Sequence, residues 1–169
     1  GKGSWKRRVK NVKKEIDAVV DSLLISISEK TKITRAPYKI DVPLFNSFLS
    51  LFKYTDTKDQ KQAWKDIYKD LISEKPMNRL VCGDVGFGKT ELAMRASFVV
   101  SFKKQVAVLA PTTILALQLY KSFKKRFNDF PQKICLLSRL QSLKEKQIII
   151  NLIETGACDI VIGTHSLIS

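Results

Sequence analysis

Eight consecutive residues carry the clearest chemistry in this chain: Gly83, Asp84, Val85, Gly86, Phe87, Gly88, Lys89 and Thr90, spaced as G-x-x-x-x-G-K-[ST]. That spacing suits a loop that wraps phosphate, the P-loop pattern. Glycines let a backbone curl without Cβ clashes, so that its N–H groups point inward. A helix starting at the end of the loop adds unpaired N–H groups and the positive end of its dipole. A lysine after the last glycine reaches the β- and γ-phosphates, and the next hydroxyl holds Mg²⁺. Here those positions are Lys89 and Thr90. The flanks agree: Arg79-Leu80-Val81-Cys82 is a short apolar run that predicts a buried strand, and Glu91 to Ala96 are good helix formers.

The elements that must hold this loop follow a repeating pattern. From Asn78 onward the sequence predicts strand 79–82, helix 89–102, strand 105–110, helix 112–127, strand 133–137, helix 142–155 and strand 158–162. The strands are continuous apolar runs, as expected where helices cover both faces. Strand–helix repeats of this kind give a parallel, doubly wound α/β sheet by right-handed crossovers. Ligands in such sheets bind at the carboxyl ends of strands. The glycine loop, Ala110-Pro111-Thr112-Thr113, Ser138-Arg139 and Gly163-Thr164-His165 all follow strands and are expected along one edge.

Upstream, Trp5, Val9, Val12, Ile16, Val19, Leu23 and Ile27 recur at spacings of three and four, which predicts one long helix over about 5–30 capped by Ser4. Such a helix spans about 40 Å, which suits a connector or strut. Residues 34–43 read as a linker, 44–51 as a short apolar helix, and 57–73 as a helix with Thr57 and Gln60 at capping-box spacing. The organisation expected is a connector over 1–34, a helical lead-in over 35–77 and a partial motor domain over 78–169.

With 169 residues, 44% of them hydrophobic, the chain can fill a core. No apolar run approaches the roughly 20 residues of a membrane span, and no signal-peptide region follows the basic N-terminus. Cys82, Cys135 and Cys158 are widely spaced in apolar runs and read as reduced core cysteines of a cytoplasmic protein. The net charge is +14, and it is clustered. Residues 1–14 hold seven basic residues and no acid, and residues 103–133 hold seven against Asp129 alone. A polyanionic partner accounts for this; a lysine-rich solvated surface accounts for it equally.

The set A-P-T-T (110–113), S-R (138–139) and I-G-T-H (162–165), downstream of G-D-V-G-F-G-K-T, resembles the first motor domain of superfamily 2 nucleic-acid helicases and translocases. The wording of 77–96, 106–118, 138–145 and 159–167 resembles the bacterial transcription-repair coupling factors, double-stranded DNA translocases that displace stalled RNA polymerase. The branched-DNA helicase RecG is similar in the same motifs but usually reads G-S-G-K-T, and Phe87 favours the former. The resemblance covers 43–169 and implies a P-loop NTPase (RecA-like) fold, truncated and preceded by the connector helix. It implies ATP and Mg²⁺ as cofactors and the duplex DNA backbone as partner. RNA polymerase and repair proteins would be met through parts outside this chain, and no membrane is involved.

Residue by residue, the resemblance implies that Phe52, Tyr54, Thr57 and Gln60 recognise adenine, with Lys53 replacing the family's usual proline. Gly83 to Thr90 and Glu91 would hold the nucleotide. Thr112, Thr113, Gln118, Ser138, Arg139, Thr164 and His165 would contact DNA. Local structure alone also explains several of these. Gln60 completes a capping box, Thr112 suits a plain N-cap, Gln118 and Arg139 suit an exposed surface, and His165, the only histidine, suits a loop. The family's Walker-B motif, D-E-x-H, follows G-T-H, and the sequence stops at Ser169 before it. The expectation is therefore a piece of a larger protein with little or no ATP hydrolysis of its own. A further reading makes helix 5–27 a docking surface for a partner helix.

Overall fold

The computed structural model describes residues 33–167, with Val20 alone upstream of them. The helix expected over 5–30 and its Ser4 cap lie outside the described residues.

Helix α1 (Val42–Ser50) starts at Asp41, whose carboxylate accepts from the Leu44 N–H at 3.0 Å, with Pro43 in the first turn where its missing N–H is not needed. Helix α2 (Lys58–Leu71) starts at the predicted capping box. The Thr57 hydroxyl accepts from the Gln60 N–H at 3.2 Å, and the Gln60 Oε1 accepts from the Thr57 N–H at 2.8 Å. Helix α3 (Lys89–Ser101) follows the glycine loop and is buried around most of its circumference. These three helices meet in an aromatic cluster. Phe48 stacks on Phe98 at 4.2 Å between centroids, Phe45 stacks on Trp64 at 5.1 Å, and Phe130 meets Phe98 edge-on at 5.0 Å. Each such pair contributes about 0.5–1.5 kcal/mol beyond area burial.

Strands β1 (Val106–Leu109), β2 (Ile134–Leu137) and β3 (Ile160–Gly163) form a parallel sheet in the order β1-β3-β2. Val106 and Ile134 both pair with Ile160. Helix α4 (Thr113–Arg126) and helix α5 (Leu143–Glu154) are the crossovers. The two-residue period divides the sheet cleanly. Ile134, Leu136, Ile160 and Ile162 face the larger core with α1 to α4, whereas Cys135, Leu137 and Val161 face a smaller one covered by Ile149, Leu152 and Ile153 of α5. On the second face Leu109 of β1 stays 50% exposed. Gly163 ends β3 between the other two strands. A Cβ there would strike the Leu137 carbonyl oxygen and lie 2.9 Å from Leu167 Cγ.

This is the parallel α/β architecture expected, with element ends shifted by up to two residues. One element is corrected. Residues 79–82 are irregular chain with no strand pairing, and Leu80 is 86% exposed. A strand exists only with a ladder partner. Arg79 is instead drawn to α2, donating from Nε to Asp70 Oδ2 at 2.6 Å with Asp66 at 3.8 Å. That hydrogen bond also holds the Asp70 carboxyl below the usual carboxylate range. Cys82 is consequently exposed and is not the core cysteine expected, whereas Cys135 and Cys158 are buried. Among the described residues no helix is long and apolar enough to cross a membrane.

Candidate nucleotide-binding site

The glycine loop turns on two left-handed residues, Gly86 at φ 88° and Gly88 at φ 71°. Gly88 is the N-cap of α3, with no side chain closing the helix end. The first N–H groups of α3 therefore lack a side-chain acceptor, as a phosphate cradle requires. Val85 at the tip is fully exposed. Lys89 folds back over the loop, its ammonium donating to the Gly83 carbonyl at 2.5 Å and to the Asp84 carbonyl at 2.6 Å. Thr90 beside it is exposed at the start of the helix. An ammonium held only by two carbonyls, at an exposed site, can be exchanged onto an anion.

Gln60 joins α2 to this loop. Its Nε2 donates to the Phe87 carbonyl at 2.8 Å while its Oε1 serves the capping box. A Cβ on Gly88 would stand 2.5 Å from that Nε2, so the contact requires glycine. The amide is bonded once at each end, leaving one N–H and one lone pair. Tyr54 is 77% exposed nearby in sequence and meets half-buried Phe52 edge-on at 5.6 Å.

Behind the loop lies an ion network that the sequence reading missed. Arg95, 2% exposed, donates to Asp56 from both terminal nitrogens at 2.7 and 2.9 Å and to Glu91 at 3.0 Å. Arg126 donates to both Glu91 oxygens at 3.0 and 2.8 Å, and its guanidinium lies 3.9 Å from the Phe48 ring centre. Burial pulls the Arg95 pKa down, but its bonds to Asp56 and then to Glu91 raise it further, so the balance keeps the charge. The Glu91 side chain is thus turned inward, and its N–H donates to the Gly88 carbonyl. The i,i+4 spacing of Glu91 and Arg95 was the one visible signal of this network.

The family profile described as DEAD/DEAH box helicase matches residues 57–169. The chain belongs to the DEAD/DEAH box helicase family. Within this helicase family its relatives include the transcription-repair-coupling factor of Borreliella burgdorferi, 46% identical over 167 residues and covering 98% of this chain and 15% of that protein. The transcription-repair-coupling factor of Bacillus subtilis is 44% identical over 170 residues, covering 100% of this chain and 14% of that one. The chain thus spans about a seventh of the length of these curated relatives. A solved structure, RecG bound to a three-way DNA junction, matches with a TM-score of 0.77 and 39% identity over 83% of this chain and 20% of that one. The RecA-like α/β fold is therefore shared.

The residues expected to contact DNA follow the three strands in the order that the sheet sets. Thr112 and Thr113 come after β1, Thr164 and His165 after β3, and Ser138 and Arg139 after β2. These three stretches follow the carboxyl ends of the parallel strands along one edge, whereas the glycine loop follows no strand. Thr112 is a true N-cap, its hydroxyl accepting from the Leu115 N–H at 3.2 Å. Gln118 is exposed along α4, and Arg139 is exposed. His165 opens a 3₁₀ turn (His165–Leu167) and is exposed. Ser138 is 1% exposed, and its hydroxyl accepts from the Leu140 N–H at 3.3 Å, so its side chain faces inward. Among the described residues no group of three or more His, Cys, Asp or Glu could hold a metal.

Proposed function

We propose that this chain is the ATP-binding part of an ATP-dependent double-stranded DNA translocase that removes stalled RNA polymerase and couples transcription to DNA repair. The observation that carries the reading is the match to transcription-repair-coupling factors at 40–46% identity across nearly the whole chain. A RecG-like branched-DNA helicase is the second reading, favoured by the fold shared with RecG.

ATP with Mg²⁺ fits the residues present. The loop has two left-handed glycines, an ammonium on exchangeable carbonyls and an exposed hydroxyl at the helix start. Bound there, the nucleotide supplies a phosphoryl group for transfer to water. The chain's own residues do the holding. Lys89 would exchange the Gly83 and Asp84 carbonyls for phosphate oxygens, and loop N–H groups would donate to them, other than that of Phe87, which bonds the Asp84 carbonyl. Thr90, exposed at the helix start, would hold the Mg²⁺ that accompanies the nucleotide. Tyr54 and Phe52 offer aromatic faces to adenine, and the free half of the Gln60 amide reads its edge. Thr112, Thr113, Gln118, Ser138, Arg139, Thr164 and His165 form the backbone-gripping edge, with Ser138 contributing through the chain and not its buried hydroxyl. Lys89 and Thr90 are the residues on which hydrolysis in the intact protein would depend.

Contacts of this kind neutralise phosphates without reading sequence. Each phosphate neutralised by a cationic side chain, Arg139 first among these residues, should lower the affinity for duplex DNA about three- to fourfold between about 50 and 200 mM salt. An affinity indifferent to salt contradicts the reading.

A further inference from the structure

We propose that Arg95 is a positioning residue that fixes the adenine-recognising turn against the phosphate-binding helix, so that adenine selectivity depends on it. The inference rests on the nucleotide reading above.

The turn over residues 53–56 has few holds of its own. Lys53 gives it no proline, Tyr54 is 77% exposed, and Thr55 makes no hydrogen bond among those described. Beside the edge-on contact of Tyr54 with Phe52, the one side-chain hydrogen-bonded tether of this turn, among the described residues, is Asp56, gripped at both oxygens by Arg95. Asp56 is followed directly by Thr57, the N-cap whose backbone N–H is held by Gln60. Arg95 lies one turn along α3 from Glu91, which follows Thr90. The clamp thus links the chain segment carrying Tyr54 and Gln60 to the helix carrying Lys89 and Thr90. Its guanidinium also lies 5.2 Å from the Phe52 ring centre, placing it behind the aromatic pair. Arg95 is itself held by Glu91, and Glu91 by Arg126. A planar fork bonded to two carboxylates has one orientation, which an ammonium does not impose.

Releasing the clamp frees the turn carrying Tyr54, while Gln60 keeps its own bond to the Phe87 carbonyl and the loop keeps its glycines and Lys89. Contacts to base should weaken while contacts to phosphate persist. Arg95→Met, Arg95→Lys and Asp56→Asn would be titrated with a fluorescent ATP analogue and its GTP counterpart, each with Mg²⁺, with thermal melting followed in parallel. The wild-type chain should prefer the adenine nucleotide. Arg95→Met should lose affinity for it by about tenfold, the scale of one charge-assisted bond, while the guanine nucleotide changes little. The ratio then collapses. Arg95→Lys should recover part of it, and Asp56→Asn should move it in the same direction as Arg95→Met. Equal weakening of both nucleotides, or an unchanged ratio in either folded variant, overturns the proposal. Where Arg95→Met fails to fold, the ratio in Asp56→Asn decides. The underlying reading fails differently: a wild-type chain indifferent to the base, or one that binds as well after Lys89→Ala, removes it and the proposal together.

Discussion

Replacing Gly88 with alanine places a methyl group where Gln60 already sits. Two costs follow from the geometry. Gly88 has φ 71°, a left-handed conformation that costs an L-residue about 1–2 kcal/mol. The new Cβ would also stand 2.5 Å from Gln60 Nε2, so the amide must swing away and give up its bond to the Phe87 carbonyl, about 0.5–1.5 kcal/mol more. Gly88→Ala should therefore destabilise by about 1.5–3.5 kcal/mol. Gly86 is the internal control. It has φ 88°, but a Cβ there meets nothing within 4 Å, so only the backbone cost of about 1–2 kcal/mol applies. The assay is urea denaturation read by fluorescence, with Trp64 stacked on Phe45 as a core reporter. Adding Gln60→Ala to Gly88→Ala should remove the collision and give a coupling of about 1 kcal/mol between the two positions. Equal costs for Gly86→Ala and Gly88→Ala, with additive effects of Gln60→Ala, would refute the contact between Gln60 and the loop.

Other expectations rest on the sheet and its cysteines. Gly163→Ala should cost about 2–4 kcal/mol, because its Cβ meets the Leu137 carbonyl, a backbone atom that cannot step aside. An unfolding free energy within a few tenths of a kcal/mol of wild type would contradict that packing. Thiol labelling near pH 8 should find one fast cysteine, the exposed Cys82, and two slow ones. Burial, and then the hydrogen bond with Cys135, push the Cys158 thiol up to about 12, so its reactive thiolate is scarce until the chain unfolds. The same shift makes Cys158 stabilising at neutral pH, a contribution lost as pH rises from about 8.5, the unfolded value, towards the folded one. Two or more fast equivalents in the folded chain would refute the arrangement.

Local chemistry was the legible part of this sequence. The capping box at Thr57 and Gln60 is written within four residues, and it formed in both directions. The apolar runs at 106–109, 134–137 and 160–163 became strands because each has a neighbour to pair with. Residues 79–82 look the same in sequence and are not a strand, because an apolar run does not specify its ladder partner. The ion network was hidden for a related reason. Asp56 and Arg95 are 39 residues apart, and Glu91 and Arg126 are 35 apart. Charged residues in a helical stretch read as solvent-facing until the packing shows them enclosed. The glycine loop was fully legible as a pattern, but the bond from Gln60 to Phe87, which ties it to α2, was not.

The central claim is that residues 83–90 form a phosphate cradle served by Lys89. A titration of a fluorescent ATP analogue with Mg²⁺ against the chain and against Lys89→Ala tests it most directly. Saturable binding that is lost in the folded variant is the predicted result. Binding of equal strength in both, or none in a chain that is demonstrably folded, would contradict it.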